Sequence, residues 1–342
     1  MSSASPVLPS GTREVPKGEQ LDTAVLLLAF NRPAETKRVF DAIRRVRPKR
    51  LYVAADGPRA DREADAALCA DVRRIVTSVD WPCSVKTLFQ DRNLGCKRGV
   101  GTALDWFFAA EESGIVLEDD CLPSVSFFRF CEELLGRFRD EQSVFSIQGT
   151  FFGSHKPPAA SYTFSKMFHM WGWASWANRW RAVNLDELDL PRIRRSILSR
   201  RWFGRSPLLQ RYWIAIADLQ AAGQVDSWGY SALFHCVANE LLHATPARNL
   251  VLNIGTGTSA TTTVQQEFGP CHRDALEMEF PLAHQSPDAD VADALLPFEL
   301  RWRINLTARR LWREVLRSAF PRFYAHVRGA ILWLQRQGAA GR

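Results

Sequence analysis

The stretch Gly114-Ile115-Val116-Leu117-Glu118-Asp119-Asp120 (GIVLEDD, residues 114–120) joins a short apolar run directly to three consecutive carboxylates. A run that is apolar on both faces is typical of a strand inside a parallel sheet, because helices cover both sides of such a sheet. The carboxylates that follow would repel one another unless a positive charge lies among them. The stretch therefore predicts a buried strand with a charged site at its carboxyl end.

Three earlier segments repeat this pattern of a strand followed by a helix. Apolar strands are predicted over 23–30, 51–55 and 85–89, and each is followed by a segment with apolar residues at helical spacing. Pro33 suits the first turn of the first helix, where a missing N–H costs nothing. This alternation predicts an α/β fold with a mostly parallel central sheet flanked by helices.

Charged residues follow three of these strands. Arg32 comes after the first strand, Asp56 after the second, and Glu118-Asp119-Asp120 closes the fourth. Ligands of parallel sheets bind beyond the carboxyl ends of the strands. We therefore expect these residues to share one rim of the sheet.

The acidic run Glu118-Asp119-Asp120 suggests a divalent cation. Carboxylate oxygens are hard ligands, which suit Mg²⁺ or Mn²⁺, and such an ion would stabilise a departing diphosphate. The alternative is an acidic loop before a helix that starts at Pro123, where the helix dipole favours negative charge.

The other rim residues each have a functional and a structural interpretation. Arg32 precedes a helix start and could bind phosphate, or it is an exposed arginine in a turn. Asp56 could accept a hydrogen bond from a base or a ribose, or it belongs to an Asp-Gly-Pro turn. Lys97 and Arg98 could contact phosphate, although a solvated loop face is the favoured interpretation.

The second half of the chain contributes aromatic candidates and one carboxylate. Trp171 and Trp173 could form an acceptor wall by stacking on sugar rings. The alternative is an aromatic core element, and we expect at least two of the four tryptophans at 171, 173, 176 and 180 to be core residues. Asp226 opens a predicted helix over 226–234 and could be a general base. Its structural interpretation is a helix N-cap.

Charge is unevenly distributed along the chain. Residues 301–342 hold ten arginines and one acidic residue, a net charge of +9, so the rest of the chain carries −2 of the total of +7. Nucleic-acid binding by the main body is therefore disfavoured. The tail has apolar residues at helical spacing, which predicts a basic amphipathic helical extension on an anionic membrane surface. The alternatives are a helix packed on the domain and an oligomer contact.

Composition bounds the remaining organisation. The sequence has no run of about 18 apolar residues, so no transmembrane helix is predicted. The seven scattered cysteines favour reduced thiols in a cytoplasmic protein, with peripheral attachment to the inner membrane face through the tail. Residues 1–20 are expected to be a disordered lead-in without the apolar centre of a signal peptide.

The ordered motifs together resemble a known family. They are AFNRP (29–33), ADG (55–57), DRNLG (91–95), LEDDCLPSVSFFRFC (117–131), WGWASW (171–176), DSWGYSALF (226–234) and ARNLVLNIGTG (247–257). Over about residues 23 to 263 the chain resembles bacterial GT-A glycosyltransferases, Rossmann-like nucleotide-sugar enzymes that are similar to the animal enzyme adding the first GlcNAc branch to N-glycan mannose cores.

The resemblance implies a role for each matching residue. Asp120 matches the metal ligand, and Glu118 and Asp119 match residues that hold the donor sugar and ribose. Asp56 matches the residue that reads uracil, and Arg32 lies on the diphosphate side. Asp226 matches the catalytic base of an inverting reaction.

One position departs from the pattern of the family. Bacterial relatives carry a His in the loop after NIG, where this chain has Thr262. Because Thr is a poor metal ligand, the contribution of this loop to metal or diphosphate binding differs from the pattern.

The resemblance also implies a domain organisation and a reaction. We expect a nucleotide-sugar-binding half over 21–122, an acceptor-binding half over 123–265, a linker over 266–300 and the basic tail over 301–342. The implied function is metal-dependent transfer from a nucleoside-diphosphate sugar, UDP favoured, to a saccharide or lipid-linked saccharide in surface polysaccharide assembly.

Three rival functions remain at this point. A sugar nucleotidyltransferase is disfavoured, because Asn31-Arg32-Pro33 replaces the Gly-rich loop with Lys that such enzymes need. A non-catalytic nucleotide-sugar-binding or regulatory module would bind nucleotide without turnover. A structural membrane-surface protein would use only the tail and bind no nucleotide.

Overall fold

A computed structural model describes residues 20–152, 160–199, 202, 206–255, 274–289, 292, 296 and 299. Within these ranges the strands are β1 Ala24–Ala29, β2 Arg50–Ala55, β3 Ser84–Phe89, β4 Ser113–Glu118, β5 Cys121–Pro123, β6 Val144–Gln148, β7 Tyr162–Ser165, β8 Trp173–Trp176, β9 Leu242–Pro246 and β10 Val251–Asn253. The helices are α1 Pro33–Val46, α2 Glu63–Val76, α3 Gly95–Ala110, α4 Val125–Arg137, α5 Ala177–Trp180, α6 Leu190–Ser199, α7 Pro207–Ala221 and α8 Trp228–Asn239.

The first four strands form the parallel half of an eight-stranded sheet. Their order is β3-β2-β1-β4, and each neighbouring pair is parallel. Successive strands of this half are joined by a helix, as parallel neighbours require a crossover. The predicted α/β class and these four strands are therefore confirmed.

The other four strands form a mixed half, in the order β8-β6-β9-β7. β8 is antiparallel to both β4 and β6, β7 is antiparallel to β9, and β6 and β9 are parallel. The sheet is thus mixed and mainly parallel. Strands of four or five residues pair here in either direction, and the sequence pattern did not indicate this arrangement.

Both faces of the central strand β1 are buried. Val25 and Leu27 of β1 pack into the core shared with α1 and α4, whereas Leu26 and Leu28 pack into the core shared with α3, α6, α7 and α8. Side chains alternate between the two faces of a strand. A strand covered on both sides is therefore apolar at every position, which is why β1 reads as a continuous apolar run.

Residues 274–289, which fall within the segment predicted as a linker, contact the domain. Met278 and Leu282 are buried. Glu277 accepts hydrogen bonds from the backbone N–H groups of Val125 (3.3 Å) and Ser126 (2.9 Å). These are first-turn donors of α4 that have no partner inside the helix, so Glu277 stabilises the helix start.

Helix α4 begins later than the sequence pattern predicts. It starts at Val125, and Pro123 lies in β5, where it pairs with Val251 of β10.

None of the helices in the described ranges has the length and hydropathy needed to cross a bilayer. The lead-in up to residue 19, Thr262 and the tail from 301 onward lie outside the described residues.

Candidate active site

A cavity of about 580 Å³ lies at the carboxyl edge of the parallel half. It is bounded by the residues that follow β1, β2 and β4, by the first turns of α3 and α8, and by Tyr212 of α7. The predicted site residues that line it are Arg32, Asp56, Glu118, Asp119, Asp120, Trp171 and Asp226. The expectation that the charged residues share one rim is therefore confirmed by their position.

The acidic run is held by the backbone of the neighbouring strand. The N–H of Phe30 donates to Asp119 Oδ2 at 3.0 Å, and Asp119 is only 7% exposed. Burial, and then the neighbouring carboxylates, raise the pKa of Glu118 and of Asp119 well above the ordinary carboxyl range. The site therefore disfavours its own negative charge in the absence of a cation.

Arg32 supplies a cation in this structure. Its guanidinium donates to Asp120 and lies 3.7 Å from Asp119 Oδ1. These carboxylates, together with Glu118, favour the charged form and raise the pKa of Arg32 against the opposing effect of burial. The arginine expected beside a diphosphate is thus paired with the acidic run, because the carboxylates at the end of the adjacent strand are the nearest anions.

A two-stranded ribbon, β5 with β10, fixes Asp120 from the other side. The N–H of Ile254 donates to the backbone oxygen of Asp120 at 2.7 Å. A Cβ on Gly255 would lie 2.0 Å from Asp120 Oδ2. The carboxylate therefore occupies space that is open only because residue 255 is a glycine.

The donor atoms fit a divalent cation only in part. Among the described residues, no group of three or more His, Cys, Asp and Glu side chains could enclose a metal ion. Mg²⁺ is commonly bound through one or two carboxylates together with substrate phosphates. Asp120 borders the cavity and can supply one such carboxylate, provided that a phosphate brings further oxygens and that Arg32 releases it.

Asp56 organises the loop that carries Asn93. Its carboxylate accepts from the N–H groups of Gly57 (2.8 Å) and Leu94 (2.9 Å) and from Nδ2 of Asn93 (2.9 Å). Burial raises the pKa of Asp56, and the backbone donors of Leu94 and Gly57 oppose that shift. Asp56 therefore lines the cavity as a half-buried carboxylate with several hydrogen-bond partners. A nucleotide base bound there would share this carboxylate with the donors of the loop.

Asp226 binds the start of α3 and does not cap its own helix. Its two carboxylate oxygens accept from the N–H groups of Cys96 (3.1 Å) and Lys97 (3.2 Å). Gly95, at φ 81°, allows this approach, because a Cβ there would lie 2.9 Å from Asp226 Oδ2. Ser227 caps α8 instead, through the N–H of Tyr230. The N-cap interpretation of Asp226 is therefore corrected.

The tryptophans divide between core and cavity. Trp173, expected in the acceptor wall, is 0% exposed and stacks on Trp228 with ring centroids 5.8 Å apart. Trp176 and Trp180 are also buried, as expected for at least two of the four. Because β8 pairs with β4 and β6 inside the sheet, Trp173 faces the core. Trp171, just before β8, lines the cavity.

Several cavity residues were missed by the sequence analysis. Arg59 lines the cavity and is held by Asp65, whose carboxylate accepts from Arg59 Nε at 2.6 Å and from Asn31 Nδ2 at 2.8 Å. Its position, three residues after Asp56, was a usable signal, since the same strand end carries both. By contrast Lys97 pairs with Asp186 at 3.0 Å, away from the cavity lining.

No protein-family model matches the chain, and no curated protein matches it. The crystal structure of mouse xyloside xylosyltransferase 1 in its apo form is similar over 64% of this chain and 82% of that chain, with 11% sequence identity and a TM-score of 0.32. A similarity at this level carries no weight for activity, so function has to be inferred from the residues of the cavity.

Proposed function

We propose that the protein is a metal-dependent glycosyltransferase of the GT-A type, which transfers a sugar from a nucleoside-diphosphate donor, UDP favoured, to a saccharide or lipid-linked saccharide. One observation carries the proposal. A single cavity at the carboxyl edge of the parallel strands brings together an acidic run, two arginines and a separate carboxylate from the second half of the chain.

The donor would lie across the ends of β1, β2 and β4. Asp56 and Asn93 present polar atoms where a base or ribose could bind, and Glu118 and Asp119 line the same cavity for the ribose and the sugar. Arg32 precedes α1, whose first N–H groups favour phosphate oxygens. The Asp120 carboxylate and the diphosphate would compete for the guanidinium of Arg32. If a metal–diphosphate complex displaced Arg32 from Asp120, the guanidinium would bind the diphosphate instead.

Asp120 would hold the divalent cation, Mn²⁺ or Mg²⁺. When bound, such an ion supplies positive charge to the diphosphate as it leaves. The backbone contact from Ile254 and the absence of a side chain at Gly255 keep the Asp120 carboxylate at the cavity edge.

Asp226 would accept the proton of the acceptor hydroxyl as that oxygen attacks the anomeric carbon. The two backbone donors at the start of α3 orient its carboxylate, and each oxygen keeps a lone pair for the hydroxyl. Attack opposite the departing diphosphate in one step inverts the anomeric centre. Trp171 would form one wall for the acceptor ring.

A non-catalytic nucleotide-sugar module is the second candidate. The observation that favours it is that Asp226 accepts hydrogen bonds from two backbone N–H groups, which is also what a purely structural carboxylate would do. Binding without transfer or hydrolysis would identify this alternative.

The first experiment measures thermal unfolding with Mn²⁺ and a panel of nucleoside diphosphates. A ligand that binds only the folded state should stabilise it by about 2.7 kcal/mol at a hundredfold excess over Kd. We expect UDP to raise Tm only with metal, and Asp120→Ala to abolish the shift. Asp22→Ala is the matched control, because its side chain is 72% exposed just before β1, at the other end of the sheet.

A second variant separates binding from catalysis. Asp226→Asn should keep the metal-dependent shift in Tm and lower donor turnover by about 10²–10⁴-fold. Equal turnover in Asp226→Asn and wild type would remove the proposed base. Absence of any shift with every diphosphate, with or without metal, would contradict the donor site itself.

We further propose a setting for this activity. The enzyme would work in the cytoplasm at the inner membrane face, with residues 301–342 on anionic lipid, in assembly of a surface polysaccharide. The net charge of +9 in that tail supports lipid attraction.

A further inference from the structure

A basic and apolar surface lies on α6 and α7, apart from the acidic cavity. We define the α6–α7 face by Arg192, Arg194, Arg195 and Leu198 of α6 and by Leu208 and Arg211 of α7. Residue 198 lies four positions after 194 and three after 195, and 211 lies three after 208, so each set shares one side of its helix. All six residues are exposed.

The two parts of this face adjoin each other. Arg194 Nη2 donates to Asp218 Oδ1 at 2.7 Å, which joins α6 to α7. Asp218 lies seven positions after Arg211, on the same side of α7. The ion pair therefore brings the exposed side of α7 next to the exposed arginines of α6.

Acidic residues near this face form no ion pair with Arg192, Arg195 or Arg211 within the described ranges. Asp189 accepts from the N–H of Arg192 at the start of α6, and Asp186 pairs with Lys97. Asp218 is taken up by Arg194. Within the described part of the chain, Arg192, Arg195 and Arg211 have no ion-pair partner, so their charge is directed to solvent.

The apolar side chains of this face distinguish its partner. Large hydrophobic side chains exposed among the described residues are Val85, Leu198, Leu208 and Leu276. Two of these four belong to the α6–α7 face, and Leu198 is 57% exposed. A nucleic acid would be matched by arginine with stacking aromatics, whereas arginine beside exposed leucine suits the interface between lipid headgroups and acyl chains.

We propose that the α6–α7 face binds an anionic membrane surface, with its arginines on the headgroups and Leu198 and Leu208 in the acyl boundary. This surface consists of residues of α6 and α7 and does not include residues 301–342. Arg211 is followed in α7 by Tyr212, which lines the cavity. Binding through this face would therefore bring the bilayer close to a helix that borders the cavity.

The test is sedimentation of the full-length chain with vesicles of phosphatidylcholine containing about one-third phosphatidylglycerol, at about 0.1 M salt. We expect Arg195→Glu/Arg211→Glu to lower the partition coefficient by about tenfold or more. The control Arg38→Glu/Arg45→Glu changes the net charge by the same amount at exposed positions of α1. It should change the partition coefficient by less than about twofold. Leu198→Ser/Leu208→Ser should weaken binding without any change of charge.

Three outcomes would overturn the proposal. The first is equal vesicle binding by the Arg195→Glu/Arg211→Glu variant and by wild type. The second is an equal loss of vesicle binding in that variant and in the α1 control. The third is release of wild type from vesicles by stoichiometric RNA. The Tm shift with UDP and Mn²⁺ is measured on the same variants. An unchanged shift separates failure of this surface from failure of the proposed donor site.

Discussion

The parallel half of the sheet and the mixed half build the site in different ways. In the parallel half, β1, β2 and β4 each lead to a charged residue at the cavity, and neighbours in the sheet are mostly neighbours in sequence. In the mixed half, β8-β6-β9-β7, no two neighbouring strands are consecutive in sequence, and the cavity receives Trp171 and Asp226 from segments outside the strands.

The difference shows that charge and shape come from separate parts of the chain. The parallel half supplies the acidic run and its arginines, since the carboxyl ends of parallel strands converge on one edge. The mixed half supplies an aromatic core around Trp173 and the segments that close the cavity. Substitutions in the two halves should therefore have separable effects on binding and on stability.

The largest expected effect is on the core of the mixed half. Trp173→Ala removes a fully buried ring that contacts Phe168 and Trp228, so the free energy of unfolding should fall by about 3–5 kcal/mol. Urea unfolding measures this loss. Trp171→Ala is the matched variant and should lose clearly less, because its ring lines the cavity. Equal losses would show that Trp171 is also a core residue.

The next effect tests the contact between the parallel half and the ribbon of β5 with β10. Gly255→Ala places a Cβ 2.0 Å from Asp120 Oδ2, and relief of this clash should cost about 1–3 kcal/mol of unfolding free energy and weaken metal-dependent UDP binding. Gly136→Ala is the control, since nothing lies within 4 Å of its Cβ in the exposed part of α4. That control should stabilise the protein by about 0.5–1 kcal/mol. Unchanged UDP binding in Gly255→Ala would show that Asp120 can move freely.

The smallest effect concerns a buried carboxylate of the parallel half. Arg59, and to a lesser extent Asn31, lower the pKa of Asp65 to about 2. Because the folded state keeps this group ionised to lower pH than the unfolded state, stability is gained above the unfolded pKa. It should be lost as pH falls from about 4 to about 2.

Asp65→Asn should remove this pH dependence. We expect a loss of about 1–2 kcal/mol at neutral pH, since the guanidinium of Arg59 is partly screened by solvent. Asp71→Asn, on the same helix with an exposed side chain paired to Arg74, should cost less than about 1 kcal/mol. Acid titration of the unfolding free energy distinguishes the two, and parallel acid profiles for wild type and Asp65→Asn would contradict the assignment.

The predictability of the site followed the distance of each contact along the chain. Glu118, Asp119 and Asp120 were found because they directly follow a strand whose apolar pattern is local. Trp171 and Trp173 are two positions apart and read alike in sequence, yet one lines the cavity and the other is buried against Trp228. That outcome depends on how β8 pairs within the sheet, which no local pattern expresses.

Local sequence patterns were enough to predict the α/β class, the four strands of the parallel half and the shared rim of the charges that follow them. Strand and helix periodicity record burial on each face of an element, and this information is local. The pairing of Arg32 with Asp120, 88 residues away, and the contact of Asp226 with the N–H of Cys96 across 130 residues became known from the folded structure alone. Such pairings depend on the packing of whole elements, because a charge in a sequence carries no record of which anion or helix start will lie beside it.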